Sequence, residues 1–296
     1  MRIAVAQMNS TSDIAANLRT ARQLCASARE QQCTVLFLPE AFAYIGDDRT
    51  MSVDIRSDRT DVHTNTNATH GVVMETMREL ARSYDLWISM CVPERAGVDV
   101  DVDGAAESTR NNGKRYNSHV ILDRGGKLYG DAYRKIHLFD ADVPGGAVLR
   151  ESDWTARGEA LRTYDVEGVR MGASICYDVR FPDMYQALRF EEKCDLIVVP
   201  SAFTKKTGAA HWETLLRARA IETQCYVVAA AQCGEHGNGR ASYGHAMIID
   251  PWGTVVARIE NDEIGIAVAN VSLEHVDEVR RAMPLESHRQ SVRKVL

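Results

Sequence analysis

The sequence predicts an α/β fold in which two similar halves each contribute a β-sheet that is covered by helices. Stretches with the pattern of strands alternate with stretches of helical periodicity, which is typical of layered α/β proteins. Residues 35–42 and 196–203 also share one pattern, four apolar residues followed by Pro-x-Ala-Phe. We therefore expect a sandwich of two sheets packed face to face with helices outside. The alternative is that two generic α/β units resemble each other by chance.

The first half begins with an expected strand at residues 2–8. Apolar residues then recur at helical spacing, which predicts an amphipathic helix from 14 to about 31. The continuous apolar run at 35–38 is typical of a strand that is buried on both faces. A second helix is expected at about 70–83 and a strand at 86–92.

The second half repeats this order. A strand is expected at residues 196–199, then a helix that begins near His211, as the helix of the first half begins near His70, and then a strand at 225–230. Each half next shows an apolar strand that meets an Asp-x-x-Gly turn, which predicts a hairpin. The polar segments 46–69 and 96–114 are expected to be loops.

The composition is that of a globular protein and excludes several functions. Of 296 residues, 45% are hydrophobic and 26% are charged, and we expect one domain over residues 1–296. The net charge of −6 argues against nucleic acid or an anionic membrane as the main partner. No apolar run approaches the roughly 20 residues that span a bilayer. Seven cysteines without a CxxC pair indicate neither a disulfide framework nor a zinc ribbon. Because the chain opens directly on a strand, a cytoplasmic location is expected.

Cys176 is the cysteine with the most informative position. It follows the expected strand at residues 169–175 and precedes a turn into a helix. A thiol at such a junction lies near the positive end of a helix dipole, which would lower its pKa from about 8.5. The alternative is a small, buried and inert side chain.

A nucleophilic cysteine needs a base and a group that stabilises an oxyanion. Glu40 follows a buried strand, where desolvation would raise its pKa and suit it to general-base work. Lys135 follows an expected strand at residues 129–134. An ion-paired Glu and a solvated Lys are the ordinary alternatives. A histidine is the usual base, and His211 and His245 are the rivals to Glu40.

Taken together, these three residues lie in segments that resemble the signatures of the nitrilase superfamily, the carbon–nitrogen hydrolases. Phe-Leu-Pro-Glu ends at Glu40, Tyr-Arg-Lys-Ile-His-Leu contains Lys135, and Ser-Ile-Cys-Tyr-Asp-Val-Arg-Phe-Pro contains Cys176, in the family's order. The resemblance covers essentially the whole chain. It implies a four-layer αββα sandwich with an internal pseudo-twofold repeat.

The resemblance also implies the chemistry of the site. Cys176 would attack an amide and form a thioester, with Glu40 as the base. Lys135 and the backbone N–H of Tyr177 would hold the oxyanion, and Glu151 would position Lys135 and the substrate amide. No metal and no organic cofactor is implied, because water and the amide suffice.

Within the superfamily the chain is most similar to the Nit branch. The similarity rests on residues 200–204, 211–222, 224–232 and 241–253. It implies hydrolysis of deaminated glutathione to 2-oxoglutarate and Cys-Gly. The alternative is an ω-amidase that acts on 2-oxoglutaramate, although such enzymes tend to carry Gly where Ser201 stands. A non-catalytic interaction protein on the same fold is less consistent with an intact triad.

Further expectations concern the ligand and the assembly. Arg180 is expected to bind the α-keto acid carboxylate in a bidentate pair, the alternative being an ion pair with Asp178 or Asp183. Phe203 and Thr204 are expected to line the same pocket. The resemblance implies a homodimer, with the helix around residues 215–221 as a candidate contact.

Overall fold

The computed structural model describes residues 1–55, 68–95, 113–143, 148–237 and 239–290, and it places them in four layers, helix–sheet–sheet–helix. The described strands are β1 (Arg2–Met8), β2 (Val35–Phe37), β3 (Trp87–Glu94), β4 (Arg115–Leu122), β5 (Tyr133–Arg134), β6 (Asp140–Asp142), β7 (Val148–Arg150), β8 (Thr155–Ala156), β9 (Thr163–Val166), β10 (Val169–Ala173), β11 (Leu196–Val198), β12 (Tyr226–Ala229), β13 (Ala231–Gly237), β14 (Arg240–Tyr243), β15 (Met247–Ile249), β16 (Val255–Arg258) and β17 (Gly265–Asn270). The described α-helices are α1 (Ile14–Glu30), α2 (Ala68–Tyr84), α3 (Pro182–Phe190), α4 (Lys205–Thr223), α5 (Leu273–Ala282) and α6 (Leu285–His288). Short 3₁₀ turns cover Glu151–Asp153 and Cys176–Arg180.

The two sheets have the same central topology. The first runs β14–β13–β1–β2–β3–β4–β5, with β17 also paired to β1 and β8 to β4, and the second runs β16–β15–β12–β11–β10–β9. In the first, β1, β2 and β3 are parallel and β4 is antiparallel. In the second, β10, β11 and β12 are parallel and β15 is antiparallel. The expected internal repeat and the αββα sandwich are therefore confirmed.

Strand β2 shows why its sequence is apolar without interruption. Val35 and Phe37 belong to the core between the two sheets, whereas Leu36 belongs to the core beneath α1 and α2. Successive side chains of a strand point to opposite faces, so a strand between two apolar layers needs apolar residues at every position. The expectation of a strand buried on both faces is confirmed.

Several boundaries differ from those expected. Helix α4 begins at Lys205 rather than near His211, because the hydroxyl of Thr204 caps it by accepting a hydrogen bond from the Thr207 backbone N–H. His245 is expected in the apolar strand before the Asp-x-x-Gly turn of the second half, but it lies between β14 and β15 with φ 61°. The strand expected at residues 129–134 is reduced to Tyr133–Arg134.

The two expected loops fall largely outside the described residues, which resume at 68 and at 113. Of the first, residues 46–55 are described, and Val53 forms a parallel bridge to Glu94 on β3. Residues 68–69 belong to α2, so the expected loop is wrong at that end. Across the ranges given above, no helix combines the length and the apolar character that crossing a bilayer requires.

Candidate active site

Each of the two sheets places one reactive side chain just beyond the end of a parallel strand. Glu40 lies three residues beyond the end of β2, and Cys176 lies three residues beyond the end of β10. Strand β2 is the second parallel strand of the first half, whereas β10 is the first parallel strand of the second half. Lys135 directly follows β5, which is paired to β4 in the first sheet. The fold thus directs three distant segments of the chain to one place.

Lys135 is the centre of a buried ionic cluster. Its Nζ lies 2.9 Å from Oε1 of Glu40 and 2.9 Å from Oε2 of Glu151. The Lys135 side chain is 2% exposed. Burial alone would lower its pKa, but the charges of Glu151 and Glu40 outweigh burial and hold the pKa well above its usual range. Lys135 is therefore an ammonium that two carboxylates hold in a fixed direction.

Glu40 is an ionised carboxylate in spite of its burial. Oε1 accepts a hydrogen bond from Nδ2 of Asn117 at 2.8 Å, and Oε2 accepts one from the Ala202 backbone N–H at 3.0 Å. Burial raises the pKa of Glu40. The charge of Lys135 and the hydrogen bonds to the carboxylate lower the pKa by more than burial raises it, so the pKa lies below its usual value. The expected rise in its pKa is therefore wrong, because the sequence did not show how many donors surround the carboxylate.

The pKa of the Cys176 thiol is shifted in the opposite direction from that of Glu40. Burial and then the negative charge of Glu40 raise its pKa well above the usual value, against the smaller opposing effects of Lys135 and the Ala202 N–H. The expected lowering by a helix dipole is wrong, because the following 3₁₀ turn is only five residues long and the thiol is buried. Cys176 is thus a neutral thiol beside an ionised carboxylate.

The backbone at Cys176 is held in an unusual conformation. Its φ is 48°, in the left-handed region that a residue with a side chain adopts at a cost. Its N–H donates to the Pro200 carbonyl at 3.0 Å, which ties the turn to the chain beyond β11. The turn therefore projects the sulfur rigidly from the edge of the second sheet.

Asp178 joins the nucleophile's turn to the segment of Lys135, and sequence reasoning missed this role. Its fully buried carboxylate accepts hydrogen bonds from the Ile175 N–H at 2.9 Å, the Tyr133 hydroxyl at 2.7 Å and the His137 N–H at 3.0 Å. Tyr133 is two residues before Lys135 and Ile175 is adjacent to Cys176. The carboxylate thus connects the turn of Cys176 to the segment of Lys135.

Asn117 is the second residue that sequence reasoning missed. Its Nδ2 lies 2.8 Å from Oε1 of Glu40 and 3.2 Å from Oε1 of Glu151. The sequence did not single it out, because the first half of β4 is rich in polar residues. Asn117 holds the two carboxylates in register beside Lys135.

A cavity of about 800 Å³ opens over this cluster. All eight residues expected in the site line it, namely Glu40, Lys135, Glu151, Cys176, Tyr177, Arg180, Phe203 and Thr204. The structure therefore brings the expected residues together, while their roles in binding and catalysis remain predictions.

Arg180 is available for a ligand in the cavity. Its Nη1 lies 3.3 Å from Nδ1 of His211, and its guanidinium carbon lies 5.3 Å from the centre of the Phe203 ring. Neither Asp178 nor Asp183 forms an ion pair with it in the described part of the chain. The alternative role for Arg180, an ion pair with a neighbouring aspartate, is thus not seen.

The histidines do not replace Glu40 as the partner of the thiol. His211 contacts Arg180, and Nδ1 of His245 lies 3.0 Å from the carbonyl oxygen of Tyr243. Within the ranges that the structure describes, no cluster of three or more His, Cys, Asp or Glu side chains is arranged to hold a metal ion. Among Glu40, His211 and His245, Glu40 forms the hydrogen bond with the thiol, and its role as the base remains a prediction.

A four-layer αββα sandwich with a Cys, a Glu and a Lys gathered at the edges of its sheets is the arrangement of a nitrilase-type hydrolase. The chain belongs to the carbon-nitrogen hydrolase family, whose sequence model matches residues 2–281. It is 42% identical to the nitrilase and fragile histidine triad fusion protein NitFhit of Caenorhabditis elegans over 98% of the chain, which spans 60% of that protein. It is 39% identical to the deaminated glutathione amidase of Homo sapiens, over 97% of the chain and 82% of the human protein.

Solved structures agree with this family. The crystal structure of the C. elegans NitFhit protein superposes with a TM-score of 0.80 at 39% identity, covering 98% of this chain and 65% of that one. Nit3 of Saccharomyces cerevisiae, described as a member of branch 10 of the nitrilase superfamily, gives a TM-score of 0.77 at 26% identity, with 96% and 94% of the two chains covered. The expected family and fold are confirmed.

Proposed function

We propose that the protein is an amidase that hydrolyses deaminated glutathione to 2-oxoglutarate and Cys-Gly through a thioester on Cys176. The observation that carries the proposal is the neutral thiol of Cys176 beside the ionised carboxylate of Glu40, with the ammonium of Lys135 against that carboxylate. The human and bovine relatives named deaminated glutathione amidase, at 39% and 40% identity, support the choice of substrate.

The first half of the reaction forms the thioester. Glu40 takes the proton of the thiol as the sulfur of Cys176 attacks the amide carbonyl carbon. The ammonium of Lys135 and the backbone N–H of Tyr177 stabilise the oxyanion, and one such donor is typically worth about 3–4 kcal/mol. Glu40 then gives its proton to the amide nitrogen, the C–N bond breaks, and the amine leaves.

The second half regenerates the thiol. Glu40 removes a proton from water, the hydroxide oxygen attacks the thioester carbon, and the sulfur leaves and recovers the proton. Glu151 keeps Lys135 in place through both steps, because its carboxylate lies 2.9 Å from Nζ. A positioned base of this kind contributes roughly 10²–10⁴-fold to the rate.

The opposite pKa shifts of the two groups suit this sequence. A thiolate beside the negative charge of Glu40 would be unstable in a buried site, so the neutral pair is the resting state. As the proton moves to Glu40, the charge passes to the sulfur and then to the oxyanion, both within reach of Lys135. Negative charge thus moves along the cluster without a second charge being added.

The substrate's α-keto acid end would be bound by Arg180. Its guanidinium lines the cavity and forms no ion pair with Asp178 or Asp183, and the ring of Phe203 lies beside it. Ser201, the position that separates the two branches in sequence, is fully buried and its hydroxyl donates to the Val199 carbonyl at 3.1 Å. It does not line the cavity, so any effect on substrate choice is indirect.

Hydrolysis of deaminated glutathione and of 2-oxoglutaramate by the purified protein tests the proposal. We expect a clear preference for the peptide in kcat/KM and loss of activity in Cys176→Ala, but not in the control Cys25→Ala, which changes a cysteine on the buried face of α1. A preference for 2-oxoglutaramate would keep the chemistry and make the protein an ω-amidase. Activity that survives in Cys176→Ala would contradict the mechanism, and no activity on any amide would favour a non-catalytic interaction protein.

The protein's assembly and location are further parts of the proposal. A homodimer through α4 is supported by Ile221, which is 49% exposed on that helix, and by Trp252, which is 58% exposed beside Gly253. Gly253 approaches the side chain of Ile221, so the two apolar groups form one patch. Sedimentation of the wild type and of Ile221→Asp tests this, since the proposal requires a dimer in the first and a monomer in the second.

A cytoplasmic location is supported by the seven cysteines, which are all unpaired and buried.

A further inference from the structure

A second cationic site, separate from Arg180, lines the cavity on the side of the first sheet. It consists of Arg49, in the segment after Glu40, and Arg115, at the start of β4, with Trp154 beside them. The guanidinium carbon of Arg49 lies 4.3 Å from the centre of the Trp154 ring. This site is not used in the mechanism above.

Arg115 is placed by the register of β4. It precedes Asn117 by two residues, so both side chains leave the same face of the strand, about 7 Å apart. Asn117 in turn donates to Glu40 at 2.8 Å. Arg115 therefore lies on the same face of β4 as Asn117 but farther from Glu40.

The positive charges of Arg49 and Arg115 repel each other at this point. Arg115 is partly buried, and one of its Nη1 hydrogens is bonded to the Met51 carbonyl. Burial and the neighbouring charge of Arg49 lower its pKa to about 10, although Asp48 and Glu151 act in the other direction. Over the described ranges, neither guanidinium forms an ion pair within 4 Å with a carboxylate. An anion bound between them would relieve this repulsion.

The direction in which the substrate lies follows from the chemistry. Glu40 protonates the departing nitrogen, so the leaving group begins beside Glu40 and Asn117. Asn117 and Arg115 both line the cavity, so a leaving group that extends along β4 from Glu40 reaches Arg115. A dipeptide spans at most about 7 Å when it is extended, which matches the spacing from Asn117 to Arg115.

We propose that Arg49 and Arg115 bind the terminal carboxylate of the leaving group, while Arg180 binds the carboxylate of the acyl group. This inference rests on the proposed function and deepens it, since it assigns the preference for a peptide to two residues. The substrate class is an amide that carries one carboxylate on each side of the bond that is cleaved. An amide that releases ammonia has no group for the Arg49–Arg115 site.

The test compares deaminated glutathione with the same peptide ending in a carboxamide, and with 2-oxoglutaramate. The wild type should prefer the acid to the carboxamide by about tenfold to a hundredfold in kcat/KM, the range for hydrogen bonds to charged groups. In Arg49→Ala and Arg115→Gln, the ratio of kcat/KM for the acid to that for the carboxamide should fall towards one, because KM for the acid rises. Hydrolysis of the carboxamide and of 2-oxoglutaramate should not change. Arg150→Ala, an exposed arginine outside the cavity, is the control for net charge.

Two results would overturn the inference. One is equal hydrolysis of acid and carboxamide by the wild type, and the other is a loss in the variants that affects all three substrates equally. Calorimetric binding of both peptides to Cys176→Ala separates this inference from the proposed function. Suppose that the wild type cleaves neither peptide, that Cys176→Ala binds the acid more tightly than the carboxamide, and that adding Arg49→Ala removes this difference. The proposed function then fails and the carboxylate site stands. Equal binding of acid and carboxamide rejects the site whether or not the enzyme turns over.

Discussion

At the scale of single residues, the site depends on two opposite departures from ordinary acidity. Glu40 is more acidic than a free glutamate because of Lys135, and Cys176 is less acidic than a free cysteine because of burial and of Glu40 itself. A preformed thiolate is therefore not the reactive species. The nucleophile is generated only as the proton moves, and Glu40 has to receive it.

This account predicts an unusual effect of Glu40→Gln on the alkylation of Cys176 by iodoacetamide at pH 7. If the carboxylate acted only through its charge, its removal would lower the pKa of the thiol and speed alkylation. Since we assign it the role of base, alkylation should become slower, by roughly 10²–10⁴-fold if the full contribution of the base is lost. Mass spectrometry of peptides that contain Cys176 measures the rate.

The other cysteines provide the internal control for this measurement. Cys176 is 9% exposed, whereas the remaining six are at most 3% exposed, so the native protein should be labelled first at Cys176. Faster alkylation in Glu40→Gln than in the wild type would contradict the assignment of Glu40 as the base. Slowing in His211→Ala instead would favour the histidine rival.

At the scale of structural elements, strand β4 carries both the site and a pH-sensitive part of the core. Asn117 lies over the carboxylates, and two residues later His119 is fully buried, with Nε2 2.7 Å from the Ser89 hydroxyl on β3. Its ring packs edge-on against Tyr164 of β9 in the other sheet. Among the residues that the structure describes, none forms a hydrogen bond with its Nδ1. The imidazole between the sheets is therefore held in its neutral form.

Burial lowers the pKa of His119 to about 3, from about 6.5 in an unfolded chain. The unfolded state binds this proton more readily, so the neutral ring's contribution to stability is complete above pH 6.5 and is lost as the pH falls towards 3. Each pH unit in that window costs up to about 1.4 kcal/mol. Urea unfolding between pH 7 and pH 4.5 should therefore show a steeper loss of stability in the wild type than in His119→Phe.

The slope, rather than the level, decides this prediction, because His119→Phe also removes the partner of Ser89. His288→Phe, which changes an exposed histidine on α6, should retain the slope of the wild type. Equal slopes in the wild type and in His119→Phe would show that His119 does not govern the acid sensitivity.

At the scale of the whole molecule, the repeat could be predicted because short stretches of the sequence show it directly. Strand β2 and its counterpart β11 are apolar throughout since each lies between two apolar layers, and the Pro-x-Ala-Phe sequence follows both. The pairing of Glu40, Lys135 and Cys176 was accessible through signatures that stand in a fixed order. These features depend on short stretches of chain.

The rest depends on what distant segments do to one another. Asp178 looks like an ordinary acidic residue, and only the fold shows that three donors from two segments converge on it. The direction of the pKa shift at Glu40 was wrongly predicted for the same reason, since burial was visible in the sequence and the donors were not. The meeting of Arg49 with Arg115 likewise requires the register of β4.

The measurement that tests the central claim most directly is the intact mass of the protein during turnover of deaminated glutathione, quenched in acid. The account predicts a transient increase by the mass of the 2-oxoglutaryl group, located on the Cys176 peptide and absent from Cys176→Ala. It also predicts that hydroxylamine, which cleaves thioesters, removes the adduct. An active enzyme that never carries this adduct under single-turnover conditions, or that carries it on another residue, would contradict the mechanism.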